Sequence, residues 1–195
     1  MREIVLATNN PNKVCEAQVI LENAGVSVRT LAELGITCEP VEDGGSFLAN
    51  ARIKARAAFE ATGLPSLADD SGLCVDALGG IPGVESAYFA PPGQHADALL
   101  ERMRGISDRK AHYTCFLVLV LQDGSEIIVT EKWHGDIGHE KRGTNGWHFD
   151  PVFVSRENGL TVAEMTTDEK NTISHRGRAF RKMAEAIIGY EKGIL

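Results

Sequence analysis

Asp69 and Asp70 stand side by side in residues 67–73, LADDSGL. Carboxylates at the end of a short apolar run suit a hard cation. Mg²⁺ prefers carboxylate oxygen and binds through one or two carboxylates plus substrate phosphate. The Ser71-Gly72 pair reads as a sharp turn directly after them. The same residue types also make a plain acidic turn behind a strand, so the rest of the chain has to decide. Lys13 closes a turn-rich hexamer, Thr8-Asn9-Asn10-Pro11-Asn12-Lys13, ahead of a helical pattern. Amides at a helix start, with a lysine beside them, form a ready anion site. Near the C-terminal end, Lys170, His175, Arg176 and Arg178 gather where helical turns begin. Positive charge there opposes the helix dipole unless an anion lies against it. Glycine-rich residues 141–150 carry Trp147 and Phe149, whose faces can stack on a base or anchor the loop into a core.

These side chains need elements to position them. Residues 3–7, EIVLA, read as a buried strand. Val14, Ala17, Ile20, Leu21 and Ala24 follow at helical spacing, with Gly25 as a stop. A second strand is expected over 26–31. Ser46 is placed to cap a helix over 47–62 that closes at Gly63. Lys54 lies twelve residues after Glu42, about two turns into that helix; composition alone makes it a solvated lysine and Glu42 a loop carboxylate. Residues 79–84 form a Gly/Pro loop and 96–103 an amphipathic helix. Residues 112–121 and 127–133 are β-rich runs joined by the hairpin signal of 122–125. Thr166, Thr167 or Asp168 caps a first turn of the tail and Ser174 a second. Ala179, Met183, Ala184 and Ile187 continue as a helix.

The chain has 195 residues and a net charge of −7. That length fits one domain, 1–195, or two small lobes of it. The acidic balance argues against a nucleic-acid polymer as partner, since such binding depends on neutralising phosphates; a nucleotide needs only a local cationic cluster. Cys15, Cys38, Cys74 and Cys115 form no CxxC pair, which argues against a zinc knuckle and for reduced thiols. His134 and His139 lack the HExxH pattern, and no Walker A loop occurs. The longest apolar run, 115–121, is too short to span a membrane. No leader peptide is seen at the N-terminus, so a soluble cytoplasmic protein is expected.

Six stretches, taken together, resemble one family: ATNNPNK (7–13), EDGGSFLANARIKA (42–55), LADDSGL, ALGGIPGVESAYFA (77–90), GTNGWHFDPVF (143–153) and EKNTISHRGRA (169–179). In order and spacing they look like the non-canonical purine nucleoside triphosphate pyrophosphatases, the inosine triphosphatase or HAM1-like family. The resemblance covers nearly the whole chain. It implies an α/β fold with a long mixed sheet flanked by helices, in two lobes with a central nucleotide cleft. It implies a Mg²⁺-dependent homodimer hydrolysing ITP, dITP and XTP to the monophosphate and pyrophosphate. By the resemblance, Thr8, Asn9, Asn10, Pro11, Asn12 and Lys13 hold the triphosphate. Glu42 and Asp70 bind Mg²⁺, Asp70 accepts the proton of the attacking water, and Asp69 is its acidic neighbour. Lys54 and Ser71 touch substrate, and Trp147, His148, Phe149, Asp150, Lys170, His175 and Arg176 form the nucleotide and base pocket. Asn9 departs from the family's frequent glycine, and Trp147-His148-Phe149-Asp150 from its usual Phe-Gly-Tyr-Asp. A Maf-like enzyme for pyrimidine triphosphates and a non-catalytic nucleotide-binding module are the rival readings.

Overall fold

Alternation along the first strand dictates a sheet covered on both faces. A computed structural model describes residues 3–194. The chain forms two compact units: 1–70 with 115–131 and 176–195, and 71–114 with 132–175. Its elements are β1 (Glu3–Leu6), α1 (Pro11–Asn23), β2 (Ser27–Thr30), α2 (Phe47–Thr62), β3 (Ser66–Val75), α3 (His95–Arg102), β4 (Lys110–Val120), β5 (Glu126–Ile137), β6 (Phe153–Ser155), α4 (Thr167–Ile173) and α5 (His175–Glu191). The strands form one six-stranded sheet in the order β2-β1-β3-β4-β5-β6. β1 is parallel to β2 and β3, while β6 runs antiparallel to β5, so the sheet is mixed.

In the first unit, successive strand residues go to opposite faces. Ile4, Leu6, Leu67, Leu117 and Leu119 pack with Ala17 and Leu21 of α1 and with Ala179, Phe180, Met183 and Ile187 of α5. Val5, Ala7, Ala68, Val118 and Val120 pack with Ala51, Ala55 and Ala58 of α2. Three alanines one turn apart let α2 lie close to its face of the sheet. Its ends are fixed as the sequence predicts. The Ser46 hydroxyl accepts from Ala49 N–H at 3.2 Å, and Gly63 takes the left-handed φ of 67° that a C-terminal stop requires.

The second unit has its own core, built from Leu73, Val75, Leu99, Met103, Trp133, Phe149, Phe153, Val162 and Met165. The buried indole N–H of Trp133 donates to Ser155 Oγ at 3.1 Å. Gly135 on β5 leaves room for the Phe153 ring that a Cβ there would strike. Arg109 ties α3 to the end of β5 by donating to the carbonyls of Met103 and Ile137, both at 2.8 Å.

One expectation is overturned. Ser71-Gly72 is no turn; β3 runs unbroken through Asp69, Asp70, Ser71 and Gly72 to Val75. Asp, Ser and Gly are depleted in strands because they bring little to pack on a pleated surface. Here the two carboxylates are held by cations instead of by apolar neighbours.

Candidate active site

β1 ends at Leu6, whose partner in β3 is Leu67. Asp69 and Asp70 therefore lie beyond the carboxyl end of β1. β2 and β3 flank β1 on opposite sides, which makes this point a reversal of strand order, where open α/β sheets place ligands. Alternation then separates the two carboxylates. Leu67 packs on the α1/α5 face and Ala68 on the α2 face; Asp69 and Asp70 repeat that division two residues on.

On the α2 side, Lys54 Nζ lies 2.8 Å from Glu42 Oε2 and 2.9 Å from Asp70 Oδ1. The loop carrying Glu42 is tied back to α2, since buried Asn50 Oδ1 accepts from Gly44 N–H at 3.0 Å. Asp70 Oδ2 is buried and has no hydrogen-bond partner. Burial raises the Asp70 carboxyl above the ordinary range even against the pull of Lys54. For Lys54, burial works to lower the ammonium, but Asp70 and then Asp69 outweigh it and the net shift is upward.

On the α1/α5 side, Lys13 Nζ lies 3.0 Å from Asp69 Oδ2, and Arg176 Nε lies 3.5 Å from the same oxygen. Arg176 also pairs with Glu16 Oε2 at 2.7 Å. Burial would lift the Asp69 carboxyl, but Lys13, Arg176 and Lys54 together hold it far below the usual range. The start of α1 is partly self-capped: Asn10 Oδ1 accepts from Asn12 N–H at 3.0 Å and Lys13 N–H at 3.4 Å. Pro11 has no N–H to offer. Thr8 Oγ1 accepts from Asn10 N–H at 3.2 Å, and Asn9 Nδ2 donates to Glu39 at 3.4 Å.

Among the described residues, no group of three or more His, Cys, Asp or Glu side chains forms a metal cage. Two carboxylates, Glu42 and Asp70, converge on one cationic group, and one buried Asp70 oxygen is left over. That donor set fits Mg²⁺, which keeps several waters and takes its remaining oxygens from phosphate. It does not fit a closed structural site.

The other predicted residues lie in the second unit. Asp150 Oδ2 accepts from Trp147 N–H at 3.1 Å and is approached by Lys170 Nζ at 3.4 Å. The same ammonium sits 4.0 Å over the Trp147 ring. Tyr113 OH reaches Asp150 Oδ1 at 3.4 Å, and its ring stacks on buried His175 at 4.8 Å. Phe149 is buried in the core, while Trp147 and His148 are half-exposed. His148 has φ 53°, alone among the described non-glycine residues in being left-handed. Its ring stacks on His95 at 3.9 Å, and burial, then His95, lowers its pKa. Ser71 follows Asp70 in β3, half-buried.

Thr8–Lys13, Glu42, Lys54, Asp69, Asp70 and Arg176 thus belong to one unit, and Ser71, Trp147–Asp150, Lys170 and His175 to the other. Sequence reasoning missed Glu16, Tyr113 and His95. The i, i+3 spacing of Lys13 and Glu16, which puts both on one face of α1, was the available signal for the first. Nothing local marked the other two.

Comparison with known proteins places these observations. The family described as the Ham1 family matches residues 4–186. The dITP/XTP pyrophosphatase of Leifsonia xyli is 46% identical, covering 92% of each chain. That of Nitrosomonas europaea is 43% identical, over 96% of this chain and 95% of the relative. A HAM1 protein from Coxiella burnetii superposes with a TM-score of 0.86 at 37% identity, over 96% of this chain and 99% of that one.

Proposed function

Because this chain belongs to the Ham1 family, we propose that it hydrolyses non-canonical purine nucleoside triphosphates, dITP, ITP and XTP, to the monophosphate and pyrophosphate. Its role is then to clear the nucleotide pool before such bases enter DNA or RNA. One observation carries the assignment of the chemistry: a buried Asp70 with one oxygen on Lys54 and the other without a partner.

The bond broken joins the α- and β-phosphates. Asp70 takes the proton of the attacking water on the oxygen that Lys54 does not hold. Lys13 and Lys54 supply positive charge for the triphosphate and for the pyrophosphate as it leaves. Mg²⁺, held by Glu42 and Asp70 when bound, neutralises phosphate charge and polarises the phosphorus–oxygen bond. Trp147 offers a face for the purine, and Lys170, fixed by Asp150, donates to an oxygen at C6. A 6-amino purine would set its own N–H donors against that ammonium. Sites built on such bonds discriminate by up to about 10⁴–10⁵-fold, where shape alone gives roughly 10–200-fold. The reading includes a cytoplasmic homodimer, and light scattering at twice the chain mass checks the dimer.

The test is a panel of ITP, XTP, GTP, ATP and dUTP with Mg²⁺, scored for pyrophosphate against orthophosphate. Pyrophosphate from ITP and XTP is expected, with little from ATP or dUTP. Asp70→Asn should lower turnover by about 10²–10⁴-fold, the usual worth of a general base, with an unchanged circular dichroism spectrum. Unaltered turnover in that variant removes Asp70 from the chemistry.

A further inference from the structure

Four buried or half-buried charges in the first unit alternate in sign: Glu16, Arg176, Asp69, Lys13. Glu16 is 6% exposed, Arg176 7% and Asp69 2%. The proposed chemistry uses Lys13 and leaves Glu16 without a task. A carboxylate this deeply buried is costly unless it is paired, and its pair is Arg176 at 2.7 Å. Arg176 opens α5, where a cation opposes the helix dipole, so a neighbouring anion is stabilising there. The guanidinium is shared unequally. Its Nη1 is close to Glu16, whereas its Nε is 3.5 Å from the Asp69 oxygen that Lys13 holds at 3.0 Å.

We infer that Glu16 is a positioning residue: by drawing Arg176 to itself, it leaves Asp69 to Lys13 and so fixes the Lys13 ammonium where the triphosphate needs it. The inference rests on the pyrophosphatase reading for its kinetic consequence, but not for its structural one. Without the Glu16 charge, two cations compete for one buried carboxylate. Arg176 is the more fully buried of the two and moves onto Asp69. Lys13, whose side chain is 18% exposed, is released toward water. Lys13 and Glu16 lie one turn apart on α1, so the effect needs no change of helix position.

The experiment compares wild type, Glu16→Gln, Lys13→Met and the double variant. The first readout is the rate at which an acylating reagent labels the Lys13 amine, followed by mass spectrometry in the absence of nucleotide. Labelling should rise several-fold in Glu16→Gln; an unchanged rate overturns the inference. The second readout is kcat/KM for ITP. A drop of about tenfold is expected in Glu16→Gln, and the double variant should be no worse than Lys13→Met alone, the non-additivity of residues acting as one unit. Losses that multiply show Glu16 acting by some other route and overturn it as well. A wild-type protein inactive on every triphosphate sinks the functional reading, while the labelling readout still decides the role of Glu16. Should Glu16→Gln not fold, Glu16→Asp, which withdraws the charge by one methylene, is read in the same way with a smaller rise expected. No rise there is again a refutation.

Discussion

Asp69 and Asp70 share a backbone and a chemistry, yet their surroundings drive them apart. Both are buried, and burial lifts a carboxyl. Asp69 has Lys13 and Arg176 against it and stays ionised far below the usual range. Asp70 has Lys54, which only partly offsets burial, and ends above it. Environments that split two like groups in this way commonly mark an acid/base assignment. In the metal-free protein an NMR titration should therefore place the Asp70 carboxyl above that of an exposed aspartate. Lys54→Met removes the cation that pulls Asp70 down, so its titration should move to still higher pH. A shift toward lower pH, or none, would contradict this balance of burial and Lys54 at Asp70.

At the scale of elements, most of the scaffold was legible and the continuity of β3 through Ser71-Gly72 was not. The α2 boundaries came out as read, because Ser46 and Gly63 are strong local signals. The strand–loop–helix around Lys13 also came out, with Asn10 as the cap. The turn read at Ser71-Gly72 failed because turn propensity is local, whereas pairing along β3 is not. His148 shows why the resemblance puts glycine at that position: the backbone there is left-handed, a conformation free to glycine and strained for other residues. The resemblance implies a substrate contact for Arg176; what it does not show is the pairing with Glu16, which lies 160 positions earlier in the chain and which no window around Arg176 could reveal. The segment before Trp147 makes a prediction. Gly146 has φ 75°, and a Cβ there would strike the Asp150 carboxylate that holds Trp147 N–H and Lys170. Gly146→Ala should therefore raise the KM for ITP by about tenfold or more, since misplacements of about 1 Å cost up to 10²-fold. Fluorescence of the half-exposed Trp147 should change with it.

For the whole molecule, pH acts through several groups whose signs can be added. Asp69, Glu126 and Asp136 titrate lower in the folded chain than in the unfolded one. Each contributes stability that is present above the ordinary carboxylate pKa and is lost as pH falls through that range. Asp69 is the most buried of the three, and the two surface groups count for less because water screens them. His112 and His148 are lowered by burial, so their contribution starts to be lost earlier, as pH falls below the ordinary histidine value. Asp70 has the opposite sign and only softens the fall. Urea midpoints should decline gently between about pH 6.5 and 5 and steeply below about pH 4. A midpoint that is constant down to pH 3 would contradict the buried pairing of Asp69. The chain passes from one unit to the other four times, at 70/71, 114/115, 131/132 and 175/176. Neither unit is a continuous piece of gene. No single stretch of coding sequence carries one whole unit without part of the other, so neither can be traded between relatives as a cassette.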